Sequence, residues 1–393
     1  MRGIVLAAFL ASSGCAIGPG HRGVATETVA RTVSLYYATD REAVSRDPGN
    51  VAFGWRRGYG EGGRPFELGV CRIEIRRQRN HDKVSPLPRH SSELVRIVST
   101  SSLQRRRFYD RIREKMWYAG ENETFVFVHG FNNTFEAAAT RAAEIWYDVG
   151  FEGPPIMFSW PSRGGSFFRG VFGYFADSET MEWSAEHLKT FLLELVAETS
   201  AEKLYVDEPA RIHLVAHSLG SHMLLRAILL VADELQQRDR PIFCDIILAA
   251  PDIDRDLFRD VIVLDLLRAR LAEHYTLYAS SADNVIKTSQ TLQFYPRAGY
   301  ADEGIVVVDH QDFDTIDASA IHSGRLALNH DYFVTEPRLI RDLIQVLRKQ
   351  NRDPASPGRA MRRRADGPAQ PWVLLPGEET LANAGADGLQ EKR

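Results

Sequence analysis

From Thr124 onward the chain alternates, five times over, between a short apolar run of strand character and a segment of helical period. "TFVFV" is followed by the amphipathic stretch 134–150. "PPIMFSWP" is followed, after a glycine- and phenylalanine-rich loop, by a helix over 179–198. Strands at 211–216, 244–249 and 274–279 then alternate with helices at 219–235 and 257–272. No other feature narrows the fold as much. Parallel neighbours need a crossover, and right-handed crossovers lay helices against the sheet. The expected architecture is therefore α/β: a mostly parallel twisted sheet with helices on both faces. In such sheets ligands bind beyond the carboxyl ends of the strands. The last strand reads equally well at 304–309 or 313–320, and a closing helix is expected over 337–349.

Upstream, a first strand is expected at 32–38, and residues 50–75 alternate as an antiparallel start to the sheet. Within them "GYGEGG" has the spacing of a dinucleotide fingerprint, but strand and not helix follows it, so it reads as a turn with no cofactor role. A basic surface loop is expected over 76–91 and a helix over 103–116. At the N-terminus Arg2 precedes an apolar run, residues 4–11, too short to span a bilayer but of the length of a signal-peptide core. "SSGC" then ends in Cys15, the position of a lipidated cysteine in a bacterial lipoprotein leader. The expected organisation is a leader over 1–23, one α/β domain over 32–350, and a tail over 351–393, rich in Pro, Gly, Ala and charge, without stable structure. Cys71 and Cys244 are expected as thiols, not as a disulfide. A net charge of −4 gives no reason to expect a nucleic-acid partner.

The strand ends carry the chemistry. One strand ends in His129, Gly130 and Phe131; the next but one ends in "HSLG", with Ser218 at a strand-to-helix turn. Asp252 and Asp283 follow the two succeeding strands, and His322 and His330 come after the last. Serine, aspartate and histidine in that chain order are the order of α/β-hydrolase triads. A serine hydroxyl is a weak nucleophile that needs an imidazole base, itself held in one tautomer by a carboxylate. Ala216 stands where the Gly-x-Ser-x-Gly elbow has its first glycine, and it is small enough to serve. The oxyanion donors expected are the backbone N–H groups of Leu219 and Phe131. Asp283 occupies the usual acid position and Asp252 the alternative. His330, just ahead of the last helix, is the best-placed base, with His322 next and His310 behind it. No His or Cys pair has metal-ligand spacing, and no cofactor is expected.

"YYATDR" at 36–41, "FVHGFNNTFEAAATRAA" at 127–143, "FSWPSRG" at 158–164, "YFADSETMEWS" after it, "HLVAHSLGSHML", "LAAPDID", "LYASSADNVIKTS" and "NHDYF" together resemble a bacterial α/β-hydrolase family without an assigned function, related to lipases and esterases. The resemblance spans most of 33–350. It implies the α/β-hydrolase fold, Ser218 as nucleophile and His330 as base, and it strengthens the lipoprotein reading of Cys15, because members often have such leaders. The function expected is a serine hydrolase cleaving carboxylic esters through an acyl-enzyme. Its substrate is a small ester or acyl compound, and the protein is exported and anchored in the cell envelope. The alternative is an envelope binding or scaffolding lipoprotein that keeps a hydrolase shell without turnover. No insertion is large enough for a cap domain. The loop 161–178, with aromatics from Phe167 to Phe175, sits where it can form either a pocket wall or simple sheet-edge packing.

Overall fold

The computed structural model describes residues 30–76, 94–162, 170–235, 240–301, 304–321, 330–359, 361–365 and 370–375, with side chains at 170–178 left out. The first strands are β1 (Ala30–Thr39), β2 (Arg41–Asp47), β3 (Asn50–Arg57), β4 (Glu67–Arg76) and β5 (Val95–Ser102). Helix α1 (Arg105–Ala119) leads into β6 (Glu123–Val128), α2 (Phe135–Val149), β7 (Pro155–Ser159) and α3 (Gly170–Glu198). After the single turn α4 (Ala201–Leu204) come β8 (Arg211–His217), α5 (Leu219–Glu234), β9 (Phe243–Ala249), α6 (Arg255–Leu257), α7 (Val263–Ala269), β10 (Ala272–Ala279) and α8 (Asn284–Gln293). The chain closes with β11 (Phe313–Asp317), α9 (Tyr332–Thr335), α10 (Pro337–Leu347), β12 (Met361–Arg363) and β13 (Trp372–Leu374).

All the strands join one sheet in the order β12-β13-β11-β10-β9-β8-β6-β7-β1-β4-β5-β3-β2. From β13 to β1 every neighbouring pair is parallel. The flanking pairs β1–β4, β4–β5, β2–β3 and β12–β13 are antiparallel. Strands β6, β7 and β9 are buried along their whole length, which is why they read as continuous apolar runs and do not alternate. One core lies against α1, α3, α5 and α7, the other against α2, α9 and α10. No separate cap domain stands among the described residues.

Connectivity sets the site. From β6 the chain moves to β7 on one side, then crosses back to β8 on the other and proceeds outward through β9, β10 and β11. The order reverses between β6 and β8, which leaves a crevice beyond their carboxyl ends.

The structure decides between the two readings of the last strand and differs from the sequence reading in three places. The last parallel strand of the core is 313–317, while 304–309 has no strand. Helix α3 begins at Gly170 and takes up part of the expected loop 161–178, and the 257–272 helix is broken by a π-helical turn at Phe258–Ile262. Most consequential is the tail. Part of 351–375 is folded onto the sheet: β13 extends it beside β11, and Met361 and Leu374 are buried. Arg359, wholly buried, donates to both Asp342 oxygens and to Asp314. Strands of three residues carry no readable period, and a buried arginine reads as a solvated one until its acids are located. The Cys15 leader, the expected loop 76–91 apart from Arg76, and residues 376–393 lie outside the described residues.

Candidate active site

The residue at the crevice is Ser218. It follows β8 directly, has φ 54° and ψ −128°, and occupies the N-cap position of α5, yet its hydroxyl makes no capping hydrogen bond. A non-glycine residue at positive φ costs on the order of 1–3 kcal/mol and is kept where its surroundings over-determine it. Here they do: Ser218 N–H donates to Ala249 O at 2.9 Å, and its carbonyl accepts from Ser221 N–H at 2.9 Å. Two residues on, a Cβ at Gly220 would stand 2.3 Å from His129 O, so only glycine lets α5 approach β6. Two residues back, Ala216 is fully buried and fits. The glycine requirement of the elbow is thus real on one side only.

Leu219, buried, begins α5, so its N–H is one of the helix's unsatisfied donors, turned toward the crevice. The loop after β6 comes from the other side: a Cβ at Gly130 would lie 2.8 Å from Ser218 Cβ. That loop is clamped. Gly130 O accepts from His129 Nδ1 at 2.9 Å and from Asn133 Nδ2 at 3.2 Å, and Asn132, at φ 60°, donates its N–H to Ser162 Oγ at 2.8 Å. Holding the Gly130 carbonyl holds the whole peptide plane, and with it the direction of the Phe131 N–H. His129 is neutral: burial and the neighbouring Arg41 guanidinium push its pKa down to about 3. Its tautomer follows from its partners, since Nε2 accepts from Trp160 N–H at 3.2 Å and Nδ1 must therefore donate.

Arg41, buried, reaches Ser159 Oγ at 2.8 Å, Ser162 O at 3.2 Å and Asn133 O at 2.8 Å. One guanidinium thus ties the ends of β1 and β7 to the loop beside Ser218. Nothing in the sequence reading singled it out, because a lone arginine after a strand carries no signal of what it will touch.

His330 Nδ1 lies 2.8 Å from Asp283 Oδ2. Asp283 is fully buried, and its other oxygen caps α8 by accepting from Val285 and Ile286 N–H, both at 3.0 Å. Cap and imidazole partner are one residue. Burial would pull the His330 pKa down, but the Asp283 carboxylate outweighs it and holds the pKa above its usual value. His217, which precedes the elbow serine, packs its ring 4.4 Å from that of His330 and hydrogen-bonds the His330 carbonyl through Nε2 at 3.0 Å. Burial and His330 hold its own pKa well below the usual value, so Nε2 acts as a neutral donor.

The competing carboxylate, Asp252, sits beside the same turn, donating its N–H to Ser218 O at 3.3 Å, but its side chain takes Arg297 Nε at 2.7 Å and Ser289 Oγ at 2.7 Å. Of the two aspartates, the one placed on the His330 ring is Asp283. His310 lies ahead of β11 at the opposite, amino end of the sheet, and His322 is outside the described residues. Among the described residues no group of His, Cys, Asp and Glu could hold a metal ion, and no helix is long and apolar enough to cross a membrane.

No curated protein matches the chain. A family profile described as alpha/beta hydrolase of unknown function (DUF900) matches residues 105–349, more than half of the chain and every strand from β6 to β11. With the parallel sheet, the strained serine at its switch point and the loop packed against it, the protein belongs to this family of alpha/beta hydrolases.

Proposed function

We propose that the protein is a serine hydrolase that cleaves carboxylic esters through an acyl-enzyme at Ser218. The observation that carries this reading is an uncapped serine held at positive φ at the same sheet end as an imidazole presented by a buried aspartate, with His217, next to the serine, packed on that imidazole. In the proposed reaction the Ser218 Oγ attacks the ester carbonyl as its proton passes to His330 Nε2. The tetrahedral oxyanion is met by the Leu219 and Phe131 N–H groups. The imidazolium, stabilised by Asp283, then protonates the leaving alcohol. Water, deprotonated by His330, attacks the acyl-Ser218 ester and releases the carboxylic acid.

The test is labelling with a fluorophosphonate probe, together with turnover of p-nitrophenyl esters of graded chain length. Labelling of folded protein at Ser218 is expected, and Ser218→Ala should lower kcat by roughly four to six orders of magnitude. Unlabelled Ser218 in folded protein, with no ester turned over, overturns the proposal. For cellular placement we propose an envelope protein lipidated at Cys15, on the strength of the apolar run and the "SSGC" that follows it. Cys15→Ala should then move the protein from the membrane to the soluble fraction, and an unchanged distribution rejects the anchor.

A further inference from the structure

A second Asp–His pair stands at the same end of the sheet. Asp40 directly follows β1, is fully buried, and takes His187 Nδ1 of α3 on Oδ2 at 3.0 Å. Its other oxygen makes no hydrogen bond; the buried Ser184 hydroxyl beside it does not close one. Burial pushes the Asp40 pKa up, with His187 the chief opposing group. The carboxylate fixes the imidazole through Nδ1 and leaves Nε2 on the opposite side of the ring.

That ring is walled by aromatic groups. Trp183, one turn earlier on α3, lies 4.2 Å from it edge to face, and Tyr59 lies 6.4 Å away and 5.8 Å from Trp183. Arg57 places its guanidinium 5.3 Å from the Trp183 ring and bonds Thr180 Oγ1 at 3.2 Å. Tyr59 belongs to "GYGEGG", and the glycines around it explain its pose. A Cβ at Gly58 would meet the Glu42 backbone at 2.5 Å and one at Gly60 would meet Phe66 O at 2.1 Å. The turn is therefore pressed onto β2 and onto the residue before β4 on both sides of Tyr59, which is left 59% exposed.

The place is connected to the crevice. Strands β8 and β1 are separated by β6 and β7, which puts Asp40 about 14 Å from Ser218 along the rim. Arg41, the next residue, holds the loop beside Ser218. An extended substrate with its scissile bond at Ser218 can reach this wall.

We propose that Tyr59, Trp183, His187 and Arg57 form a subsite for an uncharged, hydroxyl-rich ring, the sugar portion of an acylated carbohydrate. The exposed Tyr59 ring and the half-buried Trp183 ring offer apolar faces to the C–H face of a sugar, while the imidazole Nε2 offers a fixed acceptor and the guanidinium fixed donors to its hydroxyls. Glu179, Glu182 and Glu186 are exposed on the same helix and make the surroundings unfavourable for a phosphorylated or otherwise polyanionic ligand. The subsite rests on the esterase reading for its place in catalysis, but its binding can be measured without turnover.

Full-length Ser218→Ala protein is titrated calorimetrically with xylotetraose and with chitotetraose. Binding of at least one is expected, weakened about tenfold or more by Tyr59→Ala and by Trp183→Ala, with Tyr205→Ala, an exposed aromatic at the other end of the sheet, unchanged. On partially acetylated xylotetraose, Trp183→Ala in the otherwise native chain should raise KM about tenfold with kcat within about threefold. Sugar binding that responds to these variants in a protein that turns over no ester upholds the subsite and removes the esterase reading. Ester turnover with no sugar binding does the reverse. A His187→Gln protein that loses thermal stability but binds the sugar as tightly as before shows that Asp40 and His187 only pin α3, and overturns their part in the subsite.

Discussion

Ser218 and its neighbours show how far individual residues could be read in advance. On paper Asp283 held the usual acid position and Asp252 the alternative, since each follows a strand at the carboxyl end. They are separated only by what comes back to meet them: His330 from 47 positions downstream on Asp283, Arg297 on Asp252. The consequence can be measured. Asp283→Asn leaves the capping oxygen available to Val285 and Ile286 but offers an amide where His330 Nδ1–H needs an acceptor, and kcat should fall by roughly 10⁴ with little change in stability. Asp252→Asn leaves Arg297 buried with a weakened partner; it should cost about 3 kcal/mol in urea unfolding yet keep fluorophosphonate labelling of whatever remains folded. The reverse pattern would make Asp252 the acid. Arg41 and His217 could not have been found this way, because their value lies in carbonyls held far away in sequence, and carbonyls have no sequence.

At the scale of elements, the period of the apolar pattern was informative wherever a segment was long or buried on both faces, as in β6, β7 and α2. It failed where an element is short or its face is shared. Strands β12 and β13 have three residues each and are defined by the open side of β11 more than by themselves. Their attachment is held by Arg359, whose guanidinium is as buried as its partner Asp342. Replacing it with leucine keeps the bulk but takes the buried cation from Asp342 and Asp314, leaving them only the Tyr278 hydroxyl and the His274 ring. Arg359→Leu should therefore cost about 3–5 kcal/mol, read as a lower urea midpoint, while the Ser218 site of the folded fraction still labels. A loss within about 0.5 kcal/mol would mean that the C-terminal strands contribute no stability.

The whole molecule responds to pH in two opposed ways. Activity needs His330 neutral, and its pKa lies above the ordinary 6.5; the acidic limb of the kcat/KM profile should thus fall above pH 6.5, with activity rising as pH rises through it. At the other end of the sheet His213 is buried against Asp245 at 2.9 Å. Burial lowers its pKa, but Asp245 and Glu123 outweigh this and raise it, while Asp245 is lowered by His213 and Arg352. A folded-state pKa raised above the unfolded value gives stability that is complete below 6.5 and is lost as pH rises through the folded pKa; Asp245 contributes above 3.8 and loses its contribution as pH falls through its own folded pKa. Thermal stability should accordingly decline as pH rises above 6.5, the direction in which turnover increases, and His213→Gln should flatten that decline. Parallel rise of both quantities would show that His213 does not carry the charge assigned to it.

The two margins of the sheet bear on a different matter, that of what the protein does to its own copies. An unpaired strand is a row of amide donors and acceptors on which another chain can grow. One margin is β2, whose pairing with β3 is shifted at two points; the other is β12, only three residues long and carrying Arg362 and Arg363. Irregular backbone at one side and a short, positively charged strand at the other make both poor templates. Removing the chain from residue 351 onward would uncover β11, a regular strand buried along all five residues, and so convert a closed sheet into one that recruits its neighbours.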